Sequence, residues 1–101
     1  MKIYIAGPIT GVVDYREKFA VAERELAKRG HVVLNPAALP EGLGDHRVYM
    51  SLCLPMVSAA DAVLMLPGWQ KSTGACMEWG YAQGLDKIVM DYEDYFKERG
   101  D

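Results

Sequence analysis

One carboxylate, Glu78, lies in a stretch whose residue types could bind and attack a small ligand. The apolar run at residues 62–66 is interrupted at residues 67–68, and residues 72–74 (Ser-Thr-Gly) then begin a helical pattern that carries Glu78. This order predicts a strand, a turn and a helix N-terminus, where unpaired backbone N–H groups favour an anion. The rise from Ser72 to Glu78 is roughly 9 Å, which is about the size of one sugar. We therefore interpret the stretch as an active site.

The surroundings of Glu78 decide what the carboxylate could do. Its neighbours in residues 75–82 are mostly apolar or glycine, which suits a buried carboxylate better than an exposed one. A carboxylate beside a sugar can act as nucleophile or general base. The alternative is a surface carboxylate on an amphipathic helix. Ser72 and Gly74 likewise either bind a phosphate or only cap and begin the helix.

Three other kinds of side chain could have a role at this site. Tyr4 lies in an apolar run and either fills the core or donates a hydrogen bond from its hydroxyl, for which Glu78 could be the partner. Trp69, in a predicted loop, either stacks on a ligand ring or packs against the protein. The histidines, His31 and His46, do not stand at ligand spacing with other metal-binding side chains, so we predict neither metal nor cofactor.

The elements that would position these residues alternate between strands and helices. Strands are predicted at residues 2–6, 31–34, 61–66 and 87–90, and helices at 15–29, 48–60, 72–84 and 91–99. Asp14 is the expected N-cap of the first helix, Gly30 its C′ residue, and Pro55 either kinks the second helix or marks its start. Apolar strands alternating with helices indicate an α/β fold, a small doubly wound, flavodoxin-like (Rossmann-like) parallel sheet of order 2-1-3-4 with helices on both faces.

Two loops would meet where the strand order reverses, at the carboxyl edge of the sheet. One follows the first strand and supplies Gly7, Pro8, Ile9 and Gly11 as candidate ligand contacts. The other is the loop that ends at Ser72. A third irregular segment, residues 36–47, is long for so small a domain and is expected to cover the ligand.

Length, net charge and cysteine content restrict the class of protein. The chain has 101 residues, which favours a single domain spanning 1–101. A net charge of -3 and no basic stripe argue against binding of a nucleic-acid polymer. Two cysteines without a CxxC motif do not form a disulfide framework, and the N-terminal apolar run is too short for a signal peptide or membrane span. A cytoplasmic protein is the expectation.

Three stretches resemble the nucleoside 2-deoxyribosyltransferase superfamily, which includes the 2′-deoxynucleoside 5′-phosphate N-hydrolases. They are residues 4–11 (YIAGPITG), 60–63 (ADAV) and 72–82 (STGACMEWGYA), the last being similar to the S-x-G-x-x-x-E-x-G-x-A signature. The chain more closely resembles a compact bacterial and phage subgroup with LPGW and YM-x-x-CLPM phrases. The resemblance implies that Glu78 is the nucleophile, that Tyr4 orients it, and that Ser72 contacts a substrate phosphate.

The chain departs from the family pattern at three positions. Cys53 stands where the family has an aspartate that helps to protonate the leaving base, so either Asp14, Asp45 or Asp61 serves instead, or catalysis is slow or absent. Pro8 and Thr10 stand where the hydrolases have a serine and an arginine that help to bind phosphate. Ser72 still favours a 5′-nucleotide, because the transferases that use free nucleosides carry an acidic residue there.

The resemblance therefore implies an enzyme that cleaves the N-glycosidic bond of a 2′-deoxynucleoside 5′-monophosphate or deoxynucleoside, by hydrolysis or by deoxyribosyl transfer. The partner would be a small-molecule nucleoside or nucleotide, and a homo-oligomer, dimer or higher, is expected. Two alternatives stay open. One is a non-catalytic nucleotide-binding module, suggested by Cys53, and the other is an interaction subunit that packs through its apolar segment 52–57.

Overall fold

The protein, seen in a computed structural model that describes residues 1–97, has a central sheet wrapped by helices. The strands are β1 (Lys2–Ala6), β2 (Val32–Leu34), β3 (Ala62–Met65) and β4 (Ile88–Asp91). The α-helices are α1 (Tyr15–Lys28), α2 (His46–Ala59), α3 (Thr73–Gly84) and α4 (Tyr92–Lys97), and single 3₁₀ turns occupy Pro36–Ala38 and Trp69–Lys71.

The sheet is entirely parallel over the described strands, and its order is β2-β1-β3-β4. This confirms the predicted α/β fold and the predicted strand order. Tyr4 pairs with Leu34 on one side and with Val63 on the other. The carboxyl ends of β1 and β3 are therefore neighbours, and the loops that follow them leave the sheet at the point where the strand order reverses.

Alternation along β1 assigns its side chains to two different cores. Ile3 and Ile5 pack with Phe19 and Leu26 of α1 on one face of the sheet. Tyr4 and Ala6 belong to the core on the opposite face, which also contains residues of α2 and α3. Because successive side chains of a strand point to opposite faces, the even positions of β1 are the ones that meet α2 and α3. Tyr4 therefore lies on the same side of the sheet as Glu78.

Several predicted boundaries are corrected by the structure. Helix α2 begins at residue 46 rather than 48, because the Asp45 carboxylate accepts hydrogen bonds from the backbone N–H groups of Arg47 (3.0 Å) and Val48 (3.4 Å). The helix then continues through Pro55, which neither begins nor ends it. Asp14 occupies the predicted N-cap position of α1, but its side chain makes no capping bond and its carboxylate lies 3.8 Å from the Lys18 ammonium.

The remaining expectations concern the ends of two helices. Gly30 has φ +86°, the left-handed conformation expected of the residue that follows helix α1. The predicted terminal helix at 91–99 is present as α4, and its residues 98 and 99 lie outside the described part of the chain. No helix within residues 1–97 is long and apolar enough to cross a membrane.

Candidate active site

The centre of the site is a hydrogen bond between β1 and α3. The Tyr4 hydroxyl donates to Glu78 Oε2 at 2.6 Å, and both side chains are buried, with Tyr4 fully enclosed and Glu78 6% exposed. The two residues are 74 positions apart in the sequence. They meet because Tyr4 points toward α3 from the central strand and Glu78 lies on the face of α3 that covers this strand.

Burial governs the electrostatics of the pair. Desolvation raises the pKa of Glu78 to about 7, and hydrogen bonds with Tyr4 and Cys53 act in the opposite direction. Burial, reinforced by the nearby charge of Glu78, also raises the pKa of Tyr4 well above its ordinary value. The phenol therefore stays protonated at neutral pH and remains a hydrogen-bond donor, which fixes the orientation of the carboxyl group.

Glu78 forms part of the wall of a cavity of about 490 Å³. This volume lies within the range of small-molecule pockets, roughly 300–1,000 Å³. Four segments line the cavity: the loop after β1, the first residue of α1, the segment from Pro36 to the first two turns of α2, and the N-terminal half of α3. The predicted ligand contacts among its lining residues are Gly7, Ile9, Ser72 and Gly74.

The N-terminus of α3 faces this cavity. Ser72 caps the helix, since its hydroxyl accepts a 3.2 Å hydrogen bond from the backbone N–H of Ala75. The capping interpretation of Ser72 is therefore realised, and the residue also lines the cavity. A Cβ atom placed on Gly74 would lie 3.5 Å from both His46 Cε1 and Met50 Sδ. A larger side chain at Gly74 would thus fill the space between α3 and α2.

Gly7 has a packing reason in addition to its place in the cavity wall. A Cβ atom at this position would lie only 2.8 Å from Leu66 Cβ. The chain can pass Leu66 here only without a side chain, so Gly7 lets the loops after β1 and β3 approach each other.

Three predicted ligand contacts are not among the lining residues of the cavity. Pro8 borders a separate groove beside Leu66, and Gly11 (φ +79°) is exposed in the turn that follows. The Trp69 ring stacks on Trp79, with ring centroids 5.7 Å apart and an interplanar angle of 23°. Trp69 therefore packs against helix α3 through one face of its ring.

Cys53 and the three aspartates that could replace the family acid lie in different parts of the structure. Asp61 accepts a 2.8 Å hydrogen bond from the backbone N–H of Lys2 at the beginning of the sheet, far from the carboxyl edge. Asp14 borders the groove that contains Pro8. Only Asp45 and Cys53, of these four, line the cavity. Burial raises the pKa of the Cys53 thiol, which keeps it neutral.

Sequence reasoning missed four polar residues of the cavity wall, Tyr15, Glu41, His46 and Tyr49. A signal for part of this set exists, because residues three or four apart share one face of a helix. His46, Tyr49, Met50 and Cys53 follow that spacing along α2. No three histidine, cysteine, aspartate or glutamate side chains gather into a metal-binding group within residues 1–97.

The fold and this site define a doubly wound parallel α/β protein with a buried carboxylate at the point where the strand order reverses. The chain belongs to the family described as Domain of unknown function (DUF4406), whose sequence profile matches residues 1–91. No curated protein sequence matches the chain.

Two solved deoxyribosyltransferase structures are similar to this chain. The 2-deoxyribosyltransferase from the psychrotolerant bacterium Bacillus psychrosaccharolyticus superposes with a TM-score of 0.72 and 28% identity, over 90% of this chain and 71% of that chain. The 2-desoxiribosyltransferase from Leishmania mexicana superposes with a TM-score of 0.68 and 28% identity, over 89% of this chain. The present chain spans only 62% of the Leishmania protein. The resemblance to the nucleoside 2-deoxyribosyltransferase superfamily is thereby confirmed.

Proposed function

We propose that the protein cleaves the N-glycosidic bond of a 2′-deoxynucleoside or of its 5′-monophosphate, with Glu78 as the nucleophile. The observation that carries this proposal is the buried Glu78 carboxyl, held by Tyr4 in the wall of a cavity of about 490 Å³. The similarity to two deoxyribosyltransferases supports the choice of a deoxyribosyl substrate.

The proposed reaction begins at C1′ of the sugar. As the bond to the base breaks, positive charge develops at C1′, and a carboxylate facing this carbon stabilises the charge and captures the sugar. Tyr4 occupies Oε2 of Glu78, which leaves Oε1 for the new bond. Water or a second base then releases the sugar, so that the anomeric configuration is retained.

The ionisation of Glu78 limits this chemistry. With a pKa of about 7, a large part of the carboxyl groups is protonated at neutral pH and cannot attack. A positively charged transition state favours the ionised form of a neighbouring carboxyl group. The same burial that raises the pKa removes competing water, which strengthens the attraction between the carboxylate and the sugar.

The other end of the substrate would be anchored at the N-terminus of α3 and at the loop after β1. Ser72, Gly74, Gly7 and Ile9 line this part of the cavity. Holding one end of the sugar positions the other end, and such positioning contributes up to about 7–11 kcal/mol in the best cases. A serine at position 72 does not repel a phosphate, so we propose a 5′-monophosphate as the preferred substrate.

The experiment is a release assay with the common deoxynucleosides and their monophosphates. We expect chromatography to detect free base with the wild type and none with Glu78→Ala. The exposed Glu17 of α1 offers a matched control, because Glu17→Ala removes a carboxylate outside the cavity and should leave release unchanged. Addition of a second base distinguishes transfer, which produces a new nucleoside, from hydrolysis.

A non-catalytic nucleotide-binding module is the second candidate, and the neutral Cys53 thiol in the cavity favours it. This candidate predicts that nucleotides raise the melting temperature of both the wild type and Glu78→Gln, with no base released by either. Release of base that depends on Glu78 would eliminate it.

We also propose that the protein forms a homo-oligomer. Leu52 on α2 and Met77 and Trp79 on α3 are each about two fifths exposed, and a second copy that covered them would remove this apolar surface from water. Light scattering measures the mass directly, and a monomer at assay concentrations would contradict this proposal without affecting the proposed reaction.

A further inference from the structure

We propose that His46 is the acid–base partner of Glu78: its imidazolium protonates the leaving base, and the resulting imidazole accepts a proton from the molecule that releases the sugar. This inference rests on the proposed N-glycosidic cleavage and adds to it a second catalytic side chain.

The first argument is position. His46 begins helix α2 and lines the same cavity as Glu78. Its Cε1 atom would be 3.5 Å from a Cβ on Gly74, and its Nε2 atom is 3.4 Å from Met77 Sδ. Gly74 precedes Glu78 by one helical turn on the same face of α3, a rise of about 6 Å. The imidazole ring therefore faces the same space as the carboxyl group, across a gap that the absence of a side chain at Gly74 keeps open.

The second argument is that the other acidic groups of the cavity wall are engaged elsewhere. Glu41 Oε2 lies 3.8 Å from Arg16 Nη2 and accepts a hydrogen bond from Tyr15. The Asp45 carboxylate is bonded to the side chain of Arg47 and caps helix α2, and these interactions hold its pKa below the usual range. A carboxyl group that stays ionised has no proton to give.

The hydroxyl and thiol groups are equally unsuited. The Tyr49 hydroxyl donates a 2.7 Å hydrogen bond to the carbonyl of Pro40, and the Tyr15 hydroxyl donates to Glu41. Burial keeps the Cys53 thiol protonated, which makes it a weak acid at neutral pH. By contrast, the sulfur of Met77 is the hydrogen-bond partner found for the His46 ring among residues 1–97, and it is a weak one.

Histidine also has the chemistry that the step needs, because an imidazole ring can give and take a proton near neutral pH. The charged groups nearest to His46 in the chain are Asp45 and Arg47, and the carboxylates that line the same cavity are Glu41, Asp45 and Glu78. The cleavage step needs a proton on the histidine and none on the glutamate, so that one side chain donates to the leaving base while the other attacks the sugar.

The proton balance closes over both steps. In the first, the bond between C1′ and the base nitrogen breaks, its electron pair goes to the base, the base takes a proton from the imidazolium, and Glu78 Oε1 bonds to C1′. In the second, water attacks C1′, the bond to Glu78 breaks and returns its electron pair to the carboxylate, and the imidazole takes the proton that water loses. In transfer, an incoming base replaces water and loses its N–H proton in the same way.

The test compares His46→Gln and His46→Ala with the wild type on the deoxynucleotide or deoxynucleoside that the wild type cleaves fastest. We expect kcat to fall by about 10²–10⁴, the usual contribution of a general acid, with KM little changed. Added imidazole should restore part of the activity of His46→Ala, because the cavity is open to solvent. The alkaline limb of the pH profile of the wild type should be absent in His46→Gln.

His31 provides the matched control, since it contacts Met1 and Tyr95 and is not part of the cavity wall. His31→Gln should keep the kcat of the wild type. A loss in the His46 variants that imidazole does not restore, or an effect on KM alone, would overturn the proposal. So would full activity of His46→Gln beside an inactive Glu78→Ala, which would leave the proposed function intact. A wild type that releases no base from any substrate would overturn both.

Discussion

The Tyr4 hydroxyl and Glu78 Oε2 are 2.6 Å apart, and this hydrogen bond joins the central strand to helix α3 inside the core. Within residues 1–97, this is the only side-chain hydrogen bond shorter than 3 Å that the Glu78 carboxyl group makes. The bond favours the ionised form of Glu78, whereas burial opposes it. The ionisation of Glu78 thus depends on two opposing effects, the hydrogen bond and burial, and each can be changed separately.

Removal of the Tyr4 hydroxyl tests the effect of the hydrogen bond on the pKa of Glu78. In Tyr4→Phe the ring still fills the core, but Glu78 loses a donor that lowers its pKa, so this pKa should rise above its present value of about 7. We expect the acid limb of kcat/KM to move to higher pH and activity at pH 7 to fall. A pH–rate profile measures the shift, and an unchanged limb would show that Glu78 does not control activity through this bond.

Removal of the titrating group of Glu78 tests the effect of burial. The folded pKa of Glu78, about 7, exceeds the unfolded value of 4.5, so the folded state holds the proton more tightly. The free energy of unfolding should therefore fall as pH rises from 4.5 through 7, by about 3 kcal/mol in total. Glu78→Gln carries no titrating group and should lose this dependence, which makes it more stable than the wild type at pH 8.

Urea unfolding at pH 5 and pH 8 measures this difference. The exposed Glu17 supplies the control, because Glu17→Gln removes a charge without relieving any burial. Equal pH dependence of the wild type and Glu78→Gln would mean that the glutamate is not buried in solution, which would contradict the site as described.

The sequence predicts those features that depend on short-range pattern. The alternation of apolar strands and helices predicts the parallel sheet. The alternation of side chains along β1 predicts that Tyr4 lies on one face of the sheet and that Ile3 and Ile5 lie on the other. Glu78 could be selected because apolar residues surround it in sequence, and burial is the physical reason that this pattern is informative.

Features that depend on contacts between distant segments could not be predicted in this way. Trp69 stacks on Trp79, and no local pattern indicates whether a loop aromatic meets a ligand or a neighbouring helix. His46 appears isolated in sequence because its partners, Gly74 and Met77, belong to another helix. The sequence predicts the start of α2 two residues late because the Asp45 cap lies among residues that resemble a continuing loop.

Gly7 provides a test of the architecture that holds the cavity. Gly7→Ala would place a Cβ atom 2.8 Å from Leu66 Cβ, which is closer than carbon atoms tolerate. The loops after β1 and β3 would have to move apart, and we expect a loss of about 1–3 kcal/mol in the free energy of unfolding. Gly80→Ala serves as control, because a Cβ at Gly80 meets nothing within 4 Å and alanine favours a helix.

Gly74 allows the space between α2 and α3 to be tested without replacing a reactive side chain. Gly74→Ala would bring a Cβ into ordinary contact with His46 and Met50 at 3.5 Å, so we expect it to fold and to keep most of the activity. Gly74→Leu should fold as well, since the cavity offers room for the side chain, but it would occupy the space that the sugar needs. We expect a rise in KM or a loss of detectable turnover with a melting temperature close to that of the wild type.

The matched substitution Gly80→Leu lies outside the cavity wall on the same helix and should leave turnover unchanged. If Gly74→Leu is as active as Gly80→Leu, the substrate does not bind between Gly74 and His46, and the proposed position of the sugar is wrong.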